Sequence, residues 1–377
     1  MAVANRSTGA PTRAGRARGR TELLSRISGA PDAVRMFAAA AGQLRTLVPY
    51  DSAVWRVTDP LSGIMTAPVH FENIDGKDCA LYWEHELSAE RGNRFRDLAQ
   101  ARVPVAGLWQ TGDGGSLSAS AMYHDFMRPR GVHDELRVVL RTRGHIQGYV
   151  SLFREQGRPV FTAADSEFVG GLVPPLAQRL RSYTLPLGPV PGNDARGPGL
   201  LLFDRSGSLQ SVNDAGWEYL GELPDGPSTV TTDGQRVPAW MYITMIQARG
   251  RGERGDRGGA RIRLRSRSGR WLVCQASCLR GPDDDVRSLA VTLEPAPLTE
   301  IMPLAAGAYG LSERELEVTW LLAHGRTTEG IAQSLFLSTH TVRDHLKAIF
   351  EKVGVSSRNE LVSTLFIAPV LGARTAE

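Results

Sequence analysis

Lysine is nearly missing from this 377-residue chain: Lys77, Lys347 and Lys352 are the only three, and arginine supplies every other permanent side-chain cation. Cysteine is scarce too. Cys79, Cys274 and Cys278 cannot build a disulfide framework, so stability must come from hydrophobic cores, for which 42% apolar residues suffice. No apolar run reaches the roughly 18–20 residues that a spanning helix needs. The first residues lack the apolar centre of a secretory signal. The expected setting is therefore the cytoplasm, with no membrane partner. The sequence has no G-x-x-x-x-G-K-[S/T] loop, which argues against a P-loop nucleotide site. It also lacks the paired acids and downstream Asp and Lys of a phospho-receiver. No nucleophile–base motif occurs, and His70, His85, His124, His133 and His145 show no metal-ligand spacing. The expectation is a protein that is not an enzyme and carries no metal or other cofactor. The net charge of +4 alone says little about partners.

The distribution of residues along the chain says more. Residues 1–20 carry five arginines, no acid and almost no large apolar side chain, which predicts an unfolded basic tail. Val34, Phe37, Ala41, Leu44 and Leu47 fall at helical spacing, and 51–58 reads as a strand. A helix is expected over 116–128, strands over 135–141 and 146–154, and one amphipathic helix over 161–181. Thr162 and Asp165 cap that helix, and Pro174 and Pro175 kink it. Residues 185–197, rich in Pro and Gly, read as a linker. Strands over 200–203 and 208–212 flank a turn at Gly207, and helices open at Asn213 and Val237. Strands are expected over 261–264, 271–278 and 288–293. In the middle one, Cys274 and Cys278 share a face with Leu272 and Ala276, as small buried thiols do. Residues 249–270 hold nine arginines and two acids. They predict a solvated loop entering a strand, and the lack of interleaved aromatics argues against a single-strand stacking platform. Residues 295–309, with three prolines nearby, read as a hinge.

Two resemblances organise these elements. The order of elements over 21–184, with Gly148-Tyr-Val-Ser-Leu-Phe-Arg and Pro159-Val-Phe-Thr-Ala-Ala-Asp165, resembles a GAF-type sensory domain. Residues 198–294, opening on Leu200-Leu-Phe-Asp-Arg-Ser-Gly-Ser-Leu-Gln-Ser-Val-Asn-Asp-Ala215, resemble a PAS domain. This PAS-like segment has no histidine for haem and no cysteine in its Asn213–Gly221 helix for flavin chemistry. Either module could hold a small effector, or both could serve only to dimerise and to position the C-terminal segment.

The strongest local signals lie over 310–366. Ser312 with Glu315, and Ser357 with Glu360, have the spacing of capping boxes. Thr327 and Ser338 open two further helices, and Gly325 and Gly354 close two of the four. The second and third helices are separated only by Phe336–Ser338, the short turn of a helix-turn-helix. Val318, Leu322, Ile331, Ala332, Val342, Leu346 and Ile349 are among the expected core. Leu311-Ser-Glu-Arg-Glu315, Ala323-His-Gly325, Ile331-Ala332, Leu337-Ser338, Thr341-Val342-Arg343, His345-Leu346 and Gly354-Val355 resemble the LuxR-type helix-turn-helix. The expected fold is thus multidomain α+β: GAF-like and PAS-like antiparallel-sheet domains, an all-α tetrahelical reader, and a tail over 367–377.

The resemblance implies a transcription regulator that puts its third helix into the major groove of duplex DNA. Carried over by position, Arg343, Asp344 and Lys347 read bases. Thr341, His345, Lys352 and the amides after Ser338 contact the backbone. Leu361, Val362, Leu365 and Phe366 on the fourth helix mediate dimerisation. The resemblance also implies a homodimer on an inverted repeat, with a small-molecule effector and RNA polymerase as further candidate partners. Two positions depart from the pattern: Gly330 where glutamate is usual, and Thr319 where a large aliphatic residue is usual. Both predict a somewhat weaker domain. Acids also slightly outnumber Lys and Arg over 310–366, so an interaction scaffold with a degenerate reader is the rival expectation.

Overall fold

The computed structural model describes residues 13–76, 79–88, 93–111, 120–184, 196–230, 236–253 and 258–367. The expected linker falls outside these except for its last two residues, as do Lys77 and most of the C-terminal tail. Among the described residues no helix is long and apolar enough to cross a membrane.

The first unit is an antiparallel sheet of β1 (Ser52–Thr58), β2 (Met65–Glu72), β3 (Val105–Gly107), β4 (Val132–Thr142) and β5 (His145–Glu155), in the order β2-β1-β5-β4-β3. Successive strand residues point to opposite faces, and here both faces are covered. Val138 and Val150 join Phe37, Trp55 and Leu176 on one side, while Val139, Tyr149 and Phe153 join Tyr82, Trp83 and Phe95 on the other. The first side is roofed by α1 (Arg13–Ser28), α2 (Ala33–Leu47), α5 (Ala163–Gly170) and α6 (Val173–Ser182). The second is roofed by α3 (Cys79–Ser88) and α4 (Phe95–Gln100). This double cover explains why every residue from Asp134 to Leu140 is buried. The charges among them are paired: Arg137 donates to Glu86 at 2.6 Å and Glu135 at 3.0 Å, and Tyr82 donates to Glu135 at 2.6 Å. A buried charge needs such partners.

The second unit is a five-stranded antiparallel sheet of β6 (Gly199–Asp204), β7 (Leu209–Val212), β10 (Ala260–Arg265), β11 (Trp271–Arg280) and β12 (Val286–Pro295). The order is β10-β11-β12-β6-β7. The short pair β8 (Ser228–Val230) and β9 (Arg236–Pro238), with α7 (Asp214–Glu222) and α8 (Ala239–Glu253), completes it. Its core and one side of the first unit's form a single cluster, and α8 packs against α3 and β2. Tyr242 donates to Glu84 across the seam at 2.7 Å. Cys274 is fully buried and Cys278 partly so, and burial pushes both thiols up.

Four expectations need correcting. The basic tail is helical from Arg13 onward. Gly19, Leu23 and Ile27 bury against the first unit, Arg16 pairs with Asp165 at 2.7 Å, and Arg20 donates to the Gly171 carbonyl. The one kinked helix over 161–181 is two helices: Gly171 and Leu172 break the run, and Pro174 and Pro175 sit in the first turn of α6, where proline is tolerated. The Thr162–Asp165 capping box is present. The expected hinge contains a helix, α9 (Leu298–Tyr309), despite Pro303 inside it. Ile301 and Leu304 pack with Trp271, Val273 and Ala296, while Met302 joins the core of the following domain, and that packing outweighs the proline. Finally, the arginines of β10 are not simply solvated. Ala260, Ile262 and Leu264 point inward, and Arg263 on the other face joins three parts of the chain. It reaches Asp59 of the first unit at 2.8 Å and Glu300 of α9 at 2.7 Å.

Candidate nucleic-acid interface

The C-terminal helices are α10 (Glu313–Ala323), α11 (Thr328–Leu335), α12 (Thr339–Val353) and α13 (Arg358–Val362), the last followed by a wider turn over Ser363–Ile367. Each begins at a side-chain cap. Ser312 accepts from the Glu315 amide while Glu315 accepts from the Ser312 amide; Thr327 accepts from Gly330, Ser338 from Thr341, and Ser357 from Glu360. Such caps satisfy amides that a helix start leaves without partners. Gly325 and Gly354 stand at φ +74° and +77°, which a side chain would strain. Val318, Leu322, Ile331, Ala332, Val342, Leu346 and Ile349 close the core.

The turn between α11 and α12 is less regular than its sequence. Phe336 holds φ +55° and its side chain is 96% exposed. A left-handed phenylalanine is unfavourable, and nothing in the local pattern marks it. The two departures are accommodated. Thr319 is fully buried, and its hydroxyl donates to the Glu315 carbonyl at 2.7 Å. At Gly330 an added Cβ would meet nothing closer than 3.5 Å. Gly330→Ala is therefore expected to stabilise this domain by about 0.5–1 kcal/mol, to be read as a higher thermal midpoint; an unchanged or lower midpoint would show a demand for glycine there.

The exposed stripe of α12 carries His340, Arg343, Asp344 and Lys347. Among the described residues, the side chains of Arg343 and Lys347 have no hydrogen-bond or ion-pair partner. Asp344 lies 3.0 Å from His340, one turn earlier, a partner that no motif in the sequence marks. Ser338 and Thr341 share a hydroxyl contact at 2.8 Å at the start of the helix, and His345 is half-buried. Lys352 is exposed, but its side chain turns back onto the domain. Its ammonium lies 2.6 Å from both carboxylate oxygens of Glu315, tying the end of α12 to the capping box of α10. Burial raises the Glu315 carboxyl, but the Lys352 and Ser312 bonds outweigh it and hold it below the ordinary value of 4.5. A depressed carboxylate contributes stability that is present above 4.5 and lost as pH falls through its folded value. Acid unfolding of this domain should begin below about that point, and Lys352→Met should flatten the dependence; an unaltered acid limb in the variant would show that the pair is idle.

The expected dimer residues sit differently. Leu361 and Leu365 are fully buried in the domain's own core. They recur one turn apart on the inward face, so they are not available to a partner. Val362 is half-buried, and the Phe366 side chain lies outside the described part of the chain.

Residues 310–365 match the family described as bacterial regulatory proteins, luxR family. The spore germination protein GerE of Bacillus subtilis is 44% identical over 55 residues, which are 15% of this chain and 74% of that protein. The chain belongs to the LuxR family. It carries a DNA-binding helix-turn-helix of that family behind an antiparallel-sheet region, and it is a transcription regulator. The transcriptional activator protein ExaE of Pseudomonas putida is 44% identical over 62 residues, 16% of this chain and 29% of its own length. The Escherichia coli SdiA structure aligns with 93% of this LuxR-family chain and 97% of its own, at 12% identity and a TM-score of 0.33.

Proposed function

We propose that the chain reads a specific operator with α12 and that the two sheet units, GAF-like over 21–184 and PAS-like over 198–294, govern how the reader is presented, with no catalysis of their own. The observation that carries this reading is the exposed stripe of α12, where Arg343 and Lys347 are free to meet DNA. Arg343 suits bidentate pairing with guanine O6 and N7, and Lys347 suits a guanine or a phosphate. The capped start of the helix, Ser338 to Thr341, presents amides and hydroxyls to a phosphate. Asp344 sits beside His340 on the exposed stripe, where its carboxylate can accept from a cytosine amino group, and Lys352 acts through the fold. One recognition helix covers only a half-site, so two copies on an inverted repeat give the expected operator. Their contact must lie away from Leu361 and Leu365.

The test is a titration of duplex DNA with the full chain across salt concentrations. For a few phosphate contacts, log K should fall against log salt with a slope of about 0.9 per contact. A flat dependence, or equal affinity for unrelated duplexes, would sink the reading and favour the interaction scaffold.

A further inference from the structure

Between the first sheet unit and the reader lies a cleft of about 410 Å³, within the range of small-molecule sites. The β4–β5 turn and Arg181 of α6 form one wall. α9 and the start of α10 form the other. Much of the lining is apolar, including Leu61, Leu304 and Leu316, yet two guanidinium groups enter it. Arg143 donates to the Gly310 carbonyl at the entrance to the reader. Arg181 is half-buried, and its Nε is enclosed without a hydrogen-bond partner. Among the described residues neither guanidinium pairs with a carboxylate. The two are close enough to repel: burial first, then the charge of Arg143, lowers the pKa of Arg181. The cleft's single acid, Glu313, is exposed in the first turn of α10, where the helix dipole already favours it.

Two like charges beside apolar walls, with no carboxylate paired to either among the described residues, form an incomplete arrangement. A guanidinium pair matches the planar fork of an oxyanion, and the leucines match an apolar body. We propose that this cleft binds a small amphipathic oxyanion, a carboxylate or a phosphate monoester on an apolar chain, which bridges Arg143 and Arg181. The inference rests on the reading that the upstream units govern the reader, because the bound anion would brace the sheet unit against Gly310. Its effect on DNA binding must equal the effect of DNA on its own binding.

Calorimetry on the full chain without DNA tests the site, with octanoate and octyl phosphate as probes and octanol and octylamine as controls. Binding of at least one oxyanion and of neither control is expected, and the two oxyanion probes separate carboxylate from phosphate. The double variant Arg143→Gln/Arg181→Gln should weaken binding by at least about tenfold, as loss of charge-assisted bonds does. Should that variant fail to fold, Glu313→Gln serves instead and should bind the oxyanion more tightly, since it removes the one repelling charge. No oxyanion binding, equal binding of octanol, undiminished binding in the folded double variant or weaker binding in Glu313→Gln would each overturn the proposal. Operator binding by the unliganded chain is measured separately: its loss would defeat the DNA reading and leave the calorimetry standing, and an empty cleft would leave operator binding standing.

Discussion

Arg263→Ala is expected to destabilise the chain by about 3–5 kcal/mol, the usual cost of stranding one member of a buried ion pair. The Asp59 side chain is fully covered and that of Arg263 is 12% exposed, with the pair at 2.8 Å. Burial raises the Asp59 carboxyl above its ordinary 3.8, and the Arg263 charge pulls it partly back. Removing the arginine leaves burial opposed only by the bonds from Ser62 and the Leu61 amide, and raises it further. A carboxyl whose folded pKa is raised holds its proton longer in the native state than in the unfolded one. The stability this gives is complete below 3.8 and lost as pH rises through the folded value. The variant's deficit against the parent should therefore be small in acid and full at neutral pH. Denaturant unfolding followed by the fluorescence of Trp55 and Trp83 would measure it, and Asp59→Asn in the Arg263→Ala background should recover much of the loss. A deficit equal at both pH values, or no recovery, would show that the pair is not the source. The same arginine holds Glu300 of α9. Burial raises the Glu300 carboxyl, and the bonds from Arg263 and Arg261 more than reverse this. One side chain on β10 thus links both sheet units to the helix that leads into the reader.

The features legible in the sequence were the local ones. The caps at Ser312, Thr327, Ser338 and Ser357 act over three residues, and the alternation of β10 and β11 acts over two, so neighbours alone reveal them. What escaped depends on partners far along the chain. The arginines of α1 look like a solvated tail until Arg16 meets Asp165, 149 positions away. Pro303 looks like a hinge until Ile301 and Leu304 find Trp271. Lys352 looks like a DNA contact until Glu315, 37 residues earlier, takes its charge. Leu361 and Leu365 look like a dimer surface by resemblance until the fold turns both into the domain's own core. In each case packing decided between readings that local propensity left level.

Arg343→Ala is expected to cost about 1–3 kcal/mol of operator binding and to relax the preference at one base pair in each half-site. Its side chain leaves α12 on the exposed stripe, flanked by the buried Val342 and Leu346, so truncation removes a contact without opening the core. Lys347→Ala, one turn on, separates the two roles a cation can have. If Lys347 meets a phosphate, affinity should fall evenly for every duplex and the salt slope should shrink by about one; if it meets a base, discrimination should fall at a second position. Lys352→Met supplies the contrast, because its charge is spent on Glu315. It should lower the unfolding midpoint while leaving the order of preference among operator variants unchanged. Anisotropy titrations of the full chain against single-base operator variants, at one salt concentration, distinguish the three. Should Arg343→Ala discriminate as well as the parent while Lys352→Met does not, the reading surface would have to be moved from the middle of α12 to its C-terminal end, and the pairing with Glu315 would have to open on DNA.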